Sequence, residues 1–425
     1  MGLRNYLECI RGNDEVEHTR PKLLNFRSAK SFIIFTVTFA VSTDIFMYGL
    51  LVPMTPTALK DKLGMPEDEI QSWTSILLAL YSAAFLVSSP ILGHLADRAR
   101  TRRWPLLLGL VTLGVATALL CIGTNIGLWI AGRLLQGAAV AVVWTAGLAL
   151  LVDTVGKQDL GQAIGYLTMG LNIGILAGPL VGGVVYQYGG YYAVFGLAFG
   201  LLGVDFVLRV ILVEPKQAAR WLDRGQGRGP LTPLEQPVDN TTSFSMAGTG
   251  EPTNTSGIPV PSLKRLIFIP LVVPHFLDPL TGMLIDRVPT TTRYLISGAF
   301  LCTTPPTVAL RLINTNSIHD KILLCGLLAL LGLSLAIAIT PLTLEVFHAL
   351  NEKELERPGQ FGAAGAVALA FGLSNMAFAA GSLVGPFFAG YIRQRAGWET
   401  MGWAIGLVSG GSSIPAFLFS GAGHL

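Results

Sequence analysis

Gly93-His94-Leu95-Ala96-Asp97-Arg98 closes one long apolar run, and Gly282-Met283-Leu284-Ile285-Asp286-Arg287 closes another. Each copy keeps a glycine, a leucine two places on, and an Asp-Arg pair at its end. Each falls where an apolar segment gives way to polar sequence. One signature in two such settings implies that a membrane unit has been duplicated within the chain. Duplicated helical membrane bundles hold their cargo between the repeats, so the pattern points to transport.

The bulk composition agrees. Of 425 residues, 51% are hydrophobic and 13% charged, against about a quarter charged in soluble domains. The 49 glycines fit helices that pack closely in a bilayer. A net charge of +3 is too small to point to nucleic acid. Cys9, Cys121, Cys302 and Cys325 have neither disulfide nor metal spacing, and the last three read as small apolar residues inside spans. There is no phosphate-binding glycine loop, nucleophile triad or metal-ligand spacing. An enzyme or an ATP-driven pump is therefore not expected, and no cofactor is.

A spanning helix needs about 20 apolar residues. Such runs fall near residues 31–53, 72–95, 104–125, 127–152, 161–187 and 191–213, then near 266–285, 293–313, 321–347, 361–391 and 399–420. The expected fold is all-α: two related bundles with about 11 recognisable transmembrane helices, six and then five. Arg4, Arg11, Arg20, Lys22, Arg27 and Lys30 precede the first span. Arg98, Arg100, Arg102 and Arg103 follow the second, while the opposite loops of this half hold only Lys60 and Lys62. Positive loops stay inside, which makes residues 1–30 a cytoplasmic tail. Residues 31–214 form the first bundle and 263–425 the second. Between them, 215–262 reads as a flexible cytoplasmic linker rich in Gly, Pro, Ser and Thr. The sequons at Asn240 and Asn254 lie in that linker and would never meet the glycosylation machinery.

The second bundle lacks a partner for the first helix. Asp44 precedes Gly93 by a fixed distance, and the same step back from Gly282 lands beside Thr232-Pro233 in the linker. The odd count would put the C-terminus outside or force one span to run in an inverted direction.

Several residues carry chemistry. Asp44 lies inside the first span with Tyr48 one turn on. A carboxylate at mid-bilayer costs about 2.5–3.5 kcal/mol on insertion scales. It is expected to carry a proton, to balance a cationic cargo, or to bond neighbouring Ser42 or Thr43. Arg133 sits inside the fourth span, where it needs acceptors or must snorkel to the interface. Gln136, Trp144, Asn172 and Asn375 are polar or amphipathic positions that either line a cavity with Tyr48 or simply pack. Gly170, Gly174, Gly178 and Gly182 recur every four residues on one helix face, with Pro179 as a kink and Gly183 beside them. That face suits either a sliding gate or close packing. Gly381, Gly385, Pro386 and Gly390 repeat the pattern in the second half. Asp97, Arg98, Arg102 and Asp153, with Asp286 and Arg287 in the second copy, read as a latch at the cytoplasmic helix ends or as solvated charges that set topology. Glu345 and His348 close the third span of the second half or mark its boundary. Asp278 lies in a short span kinked by Pro274 and Pro279.

These motifs resemble the major facilitator superfamily, in particular its drug/proton antiporter branch, with fungal efflux pumps and vesicular amine transporters nearest. Gly93 to Arg103 is similar to that family's loop between helices two and three, with Arg100 and Thr101 departing from it. Arg133-Leu134-Leu135-Gln136-Gly137 resembles its fourth-helix motif, and Gly174 to Gly183 the fifth-helix motif associated with antiport. The resemblance implies a proton-coupling role for Arg133, an amine-facing role for Asp44, and a gating role for the fifth-helix glycines. Asn375 and Ala84 stand where the amine transporters carry an acid and a lysine, which argues against a faithful amine transporter. The expected function is secondary export of a small organic molecule, such as a drug, toxin or secondary metabolite, in exchange for protons. The expected partners are that molecule, protons and lipid, with a monomeric chain in the plasma membrane, or else in a vacuolar or vesicular one. Other readings are an inactive or regulatory truncated membrane protein without transport, and facilitated import without protons.

Overall fold

The computed structural model describes residues 24–99, 101–215, 217–219, 273–313, 317–362 and 365–420. Among them there is no strand, and eight helices are long and apolar enough to cross a membrane. In chain order the helices are α1 (Lys30–Leu51), α2 (Thr55–Leu63), α3 (Glu67–Arg98), α4 (Arg103–Ile122), α5 (Ile126–Val155), α6 (Leu160–Ile211), α7 (Asp278–Arg287), α8 (Thr292–Ala309), α9 (Ile318–Glu356) and α10 (Val367–Phe419).

The two longest helices each cross twice. A straight helix of 52 residues would run about 78 Å, more than two hydrocarbon cores. Instead α6 breaks at Gly190 (φ 74°) and α10 at Gly397 (φ 83°), in a left-handed conformation that favours glycine. The two breaks occupy matching places in the repeat. The structure thus has six crossings before residue 212 and five segments from residue 273 onward.

The first of these five segments is described only from residue 273 onward and contains α7. The 10 residues of α7 rise about 15 Å, half a hydrocarbon core. A 3₁₀ turn over Val273–Leu277 leads into it. The last leg of α10 returns beside α8: Trp398 Nε1 donates to the Leu310 carbonyl (3.0 Å), Ser409 to that of Phe300 (3.0 Å), and Phe417 packs on Tyr294. The end of α10 therefore lies on the side of the bundle that holds Asp286. Arg27, just before α1, donates to the Ile211 carbonyl at the end of α6 (2.6 Å), and Leu24 is buried with Val213 and Ala218. The approach to α1 thus meets the residues that follow the first bundle. Most of the linker expected over 215–262 lies outside the described residues.

Close approach organises the first half. A Cβ on Gly170, Gly174, Gly178 or Gly182 would lie 2.5–2.8 Å from Thr38, the Ser42 carbonyl, the Phe46 carbonyl and the Leu50 carbonyl of α1. The regular glycines therefore seat α1 against α6 within one half; Gly183 meets nothing within 4 Å. The matching face of α10 has no such partner among the described residues. Gly381 and Gly385 have nothing within 4 Å, and Val384, Phe387, Phe388 and Tyr391 are exposed. Among the described residues, the seat that α1 fills in the first half has no occupant in the second.

The two halves meet in one apolar core. Val37, Val41, Trp144, Ile164 and Leu167 of the first half join Ile285, Leu344, Ala368 and Phe371 of the second. Outward-facing Phe35, Leu108, Val115, Ile322 and Leu330 are exposed, as suits a surface solvated by lipid tails. The expectation that Glu345 and His348 end a helix is corrected: α9 continues to Glu356. Its last turns read Asn351-Glu352-Lys353-Glu354-Leu355-Glu356, mostly good helix formers that keep the backbone bonded after it leaves the apolar layer.

Candidate functional site

At one end of the molecule the two signature copies perform the same act on opposite halves. Asp97, at the end of α3, accepts from the backbone N–H groups of Ala368 and Leu369 at the start of α10 (2.9 and 2.8 Å). Asp286, at the end of α7, accepts from Gly161 and Gln162 at the start of α6 (both 2.8 Å). Each carboxylate thus satisfies orphan amides of a helix N-terminus in the other half, where the dipole also favours negative charge. Gly93 and Gly282 make the contact possible. A Cβ on Gly93 would press on the Ala368 carbonyl at 2.5 Å, and one on Gly282 would overlap Gly161.

Arg102 braces the first copy. It donates to Asp97 (3.1 Å), to Asp153 (3.4 Å) and to the Ala96 carbonyl. Arg102, not Arg98, is therefore the cation that joins Asp97 and Asp153; Arg98 and Arg287 are exposed at their helix ends. Glu345 is half-buried along α9.

A second polar group lies inside the first half. Asp44 is fully buried, and neither carboxyl oxygen has a hydrogen-bond partner among the described residues. A bond to Ser42 or Thr43 is thus not made. Arg133 is also fully buried, which excludes snorkelling. It donates to Gln136 Oε1 (3.1 Å) and Thr55 Oγ1 (3.4 Å), and no carboxylate pairs with it among the described residues. Tyr48 packs on Tyr81, ring centroids 4.6 Å apart. Tyr48 and Gln136 therefore belong to the surroundings of Asp44 and Arg133.

Trp144, Asn172 and Asn375 lie instead between the halves. Trp144 stacks on Phe378 of α10 (6.2 Å, 19° between planes), and its indole N–H has no partner among the described residues. Asn375 is buried, and its side-chain NH₂ has no partner among the described residues. Asn172 donates to the Thr168 carbonyl (2.8 Å) and reaches His275 Nδ1 (2.8 Å) and Asp278 Oδ2 (3.2 Å). The five expected cavity positions are thus split between the interior of one half and the interface. Toward the end opposite the latch, α3 and α10 part around a cleft of about 490 Å³ lined by Gln71, Ser75, Ala79, Leu383 and Phe387.

Two buried charge groups include residues not singled out in the sequence: Asp205 and Arg209 in one, and His275 beside Asp278 in the other. Asp205 and Arg209 form a two-point ion pair (2.5 and 3.0 Å) on the second leg of α6, and Arg209 also donates to the Leu106 carbonyl (2.7 Å). Their i,i+4 spacing inside an apolar run is the signal that could find them. His275 and Asp278 are i,i+3 neighbours whose meeting with Asn172 depends on how the halves pack, which no spacing reveals.

A duplicated helical bundle whose halves latch through reciprocal helix caps, and whose polar groups sit within and between those halves, defines a class: a multi-pass membrane transporter, not an enzyme. Comparison with known proteins gives the family. The sequence profile of the Major Facilitator Superfamily matches residues 34–354, and the chain belongs to that family. It is 31% identical to the MFS-type transporter ppzB of Metarhizium rileyi, covering 94% of this chain and 96% of that one. Their alignment runs over 474 positions, more than the 425 residues here, so the relative holds residues with no counterpart in this chain. The class C tetracycline resistance protein of Escherichia coli is 32% identical over 41% of this chain and 43% of its own. Among solved structures, the human organic anion transporter MFSD10 (TETRAN) superposes with a TM-score of 0.59 at 16% identity, covering 92% of this chain and 99% of that one. That likeness speaks to the fold alone.

Proposed function

We propose that this transporter exports a small organic molecule in exchange for protons, by alternating access between its halves. The observation that carries the reading is Asp44. A buried carboxylate with no hydrogen bond from the described residues is costly unless it binds a proton or a cation. Exchange of a proton for cargo near this site gives it a purpose. Arg133 would help to move that proton, and the relative named for tetracycline resistance is consistent with export of a drug, toxin or secondary metabolite. The reciprocal caps of Asp97 and Asp286 would hold the cytoplasmic end shut, with the plasma membrane as the working site. The chain would act as a monomer.

Inverted membrane vesicles test this. Acidifying the interior should drive uptake of ethidium or tetracycline, an uncoupler should abolish it, and Asp44→Asn should reduce it about tenfold or more. Uptake indifferent to the gradient would reject proton exchange. The glycine face of α10, which no helix covers among the described residues, favours one other reading, a membrane protein that moves nothing. Wild-type vesicles that take up neither probe, with or without a gradient, would support it.

A further inference from the structure

We infer that Asn172, His275 and Asp278 form a proton-binding site at the interface, whose occupancy sets whether the halves stay closed. The inference rests on the proton-exchange reading and adds to it a second carrier, separate from Asp44.

The three residues come from both halves. His275 and Asp278 belong to the second half and Asn172 to the first, and all three are buried. His275 Nδ1 stands 3.3 Å from Asp278 and 2.8 Å from the Asn172 side-chain nitrogen. One nitrogen cannot serve both at once. It accepts from Asn172 when the ring hydrogen sits on Nε2, and it donates to Asp278 when Nδ1 holds a hydrogen, as it does in the other neutral tautomer and always in the imidazolium. Gaining a proton fixes the second arrangement, because an imidazolium nitrogen can only donate. Close by, Thr168 of α6 meets Thr340 of α9 across the same interface (3.0 Å), so the site is hydrogen-bonded from both sides.

The internal repeat shows that packing does not require these residues. Gly165 of α6 touches Asp278-Pro279, and the matching Gly372 of α10 touches Ser89-Pro90. With the two copies in register, Leu86, Ser89 and Ala379 stand where His275, Asp278 and Asn172 stand. One interface is built from a leucine, a serine and an alanine. Its counterpart has replaced them with an imidazole, a carboxyl and an amide.

The surroundings leave the charge to be settled locally. From α6 the site faces Thr168 and Asn172, and from α9 Thr340. The ionisable residues of α6's second leg, Asp205 and Arg209, pair with each other. On the helix that carries Asp278, Asp286 is two turns away, capping α6, and Arg287 is exposed at the end. Glu345 and His348 lie farther along α9, and His348 interacts with Asp286. No lysine or arginine pairs with Asp278 among the described residues. Without a proton the pair brings one uncompensated negative charge into a closed interface. With one proton it becomes a neutral ion pair. Loading therefore favours the closed cytoplasmic end, and release favours parting.

The test uses purified protein in nanodiscs, spin-labelled at exposed Lys157 and Glu352, one on each half at the latched end. Between about pH 8 and about pH 5.5, the short-distance population of wild type should rise about tenfold relative to the long. His275→Gln and Asp278→Asn should each flatten this response, and Asp278→Glu should restore part of it. The triple change Asn172→Ala, His275→Leu and Asp278→Ser copies the other interface, so it should fold, latch and ignore pH. A wild-type response that survives in the triple variant but vanishes in Asp44→Asn would overturn this inference and leave proton exchange standing. A wild type that ignores pH would overturn both.

Discussion

Asp44 and Arg133 are buried within one half and answered differently. Arg133 has Gln136 and Thr55 as acceptors, whereas Asp44 has no partner among the described residues. The fork of the guanidinium reaches two oxygens on two separate segments, and an ammonium cannot copy that. Arg133→Lys should therefore keep the charge yet lower proton-driven export by about tenfold, read as initial ethidium flux in inverted vesicles. The cost of a charge inside a span is legible in sequence, which is why Asp44 and Arg133 stand out from the apolar runs around them. Which acceptors surround them is not legible, because Thr55 reaches Arg133 only through the fold. The same limit applies at Asp97. Its sequence marks a helix end next to basic residues, but the choice of Arg102 over Arg98 depends on the direction the chain takes after the helix. His275 is hidden in the sequence for the same reason, since its partner Asn172 lies in the other half.

Among the helices, a four-residue glycine repeat announces close packing and leaves the partner unnamed. The structure names α1 for α6 and nothing for α10 among the described residues. Equivalent substitutions should then have unequal effects. Gly174→Leu forces a side chain against the Ser42 carbonyl and should cost about 1–3 kcal/mol or more, seen as a lower midpoint of thermal unfolding in detergent. Gly385→Leu, at the matching face of α10, should shift that midpoint little, within about 0.5 kcal/mol. Equal losses at both sites would mean that α10's face is covered in the native protein. The span boundaries themselves are readable from hydropathy to within a few residues where one span is one helix. Two segments depart: α9 runs on to Glu356 past its expected end at 347, and the span expected over 266–285 begins outside the described residues.

Across the two halves, the reciprocal caps make closure a joint property. Each carboxylate accepts from two amides across the interface, and charged hydrogen bonds of this kind contribute about 1.5–3 kcal/mol. Asp97→Asn and Asp286→Asn should each shift the spin-label distance between Lys157 and Glu352 toward the open population, and the double variant further than either. A distance distribution unchanged in the double variant would show that the apolar core alone closes this end. The duplication that produces the two caps is visible in the sequence as one signature met twice. Their crossed wiring, each copy serving the other half, is a tertiary fact.

Proton exchange through this fold requires that Asp44 hold a proton it can give up. Infrared difference spectroscopy of purified protein, recorded as pH is raised, reads the carbonyl stretch of protonated carboxylic acids directly. The wild type should lose a band on alkalinisation that is absent from Asp44→Asn throughout. If the two proteins give the same spectra, Asp44 holds no titrating proton and the exchange mechanism built on it is wrong.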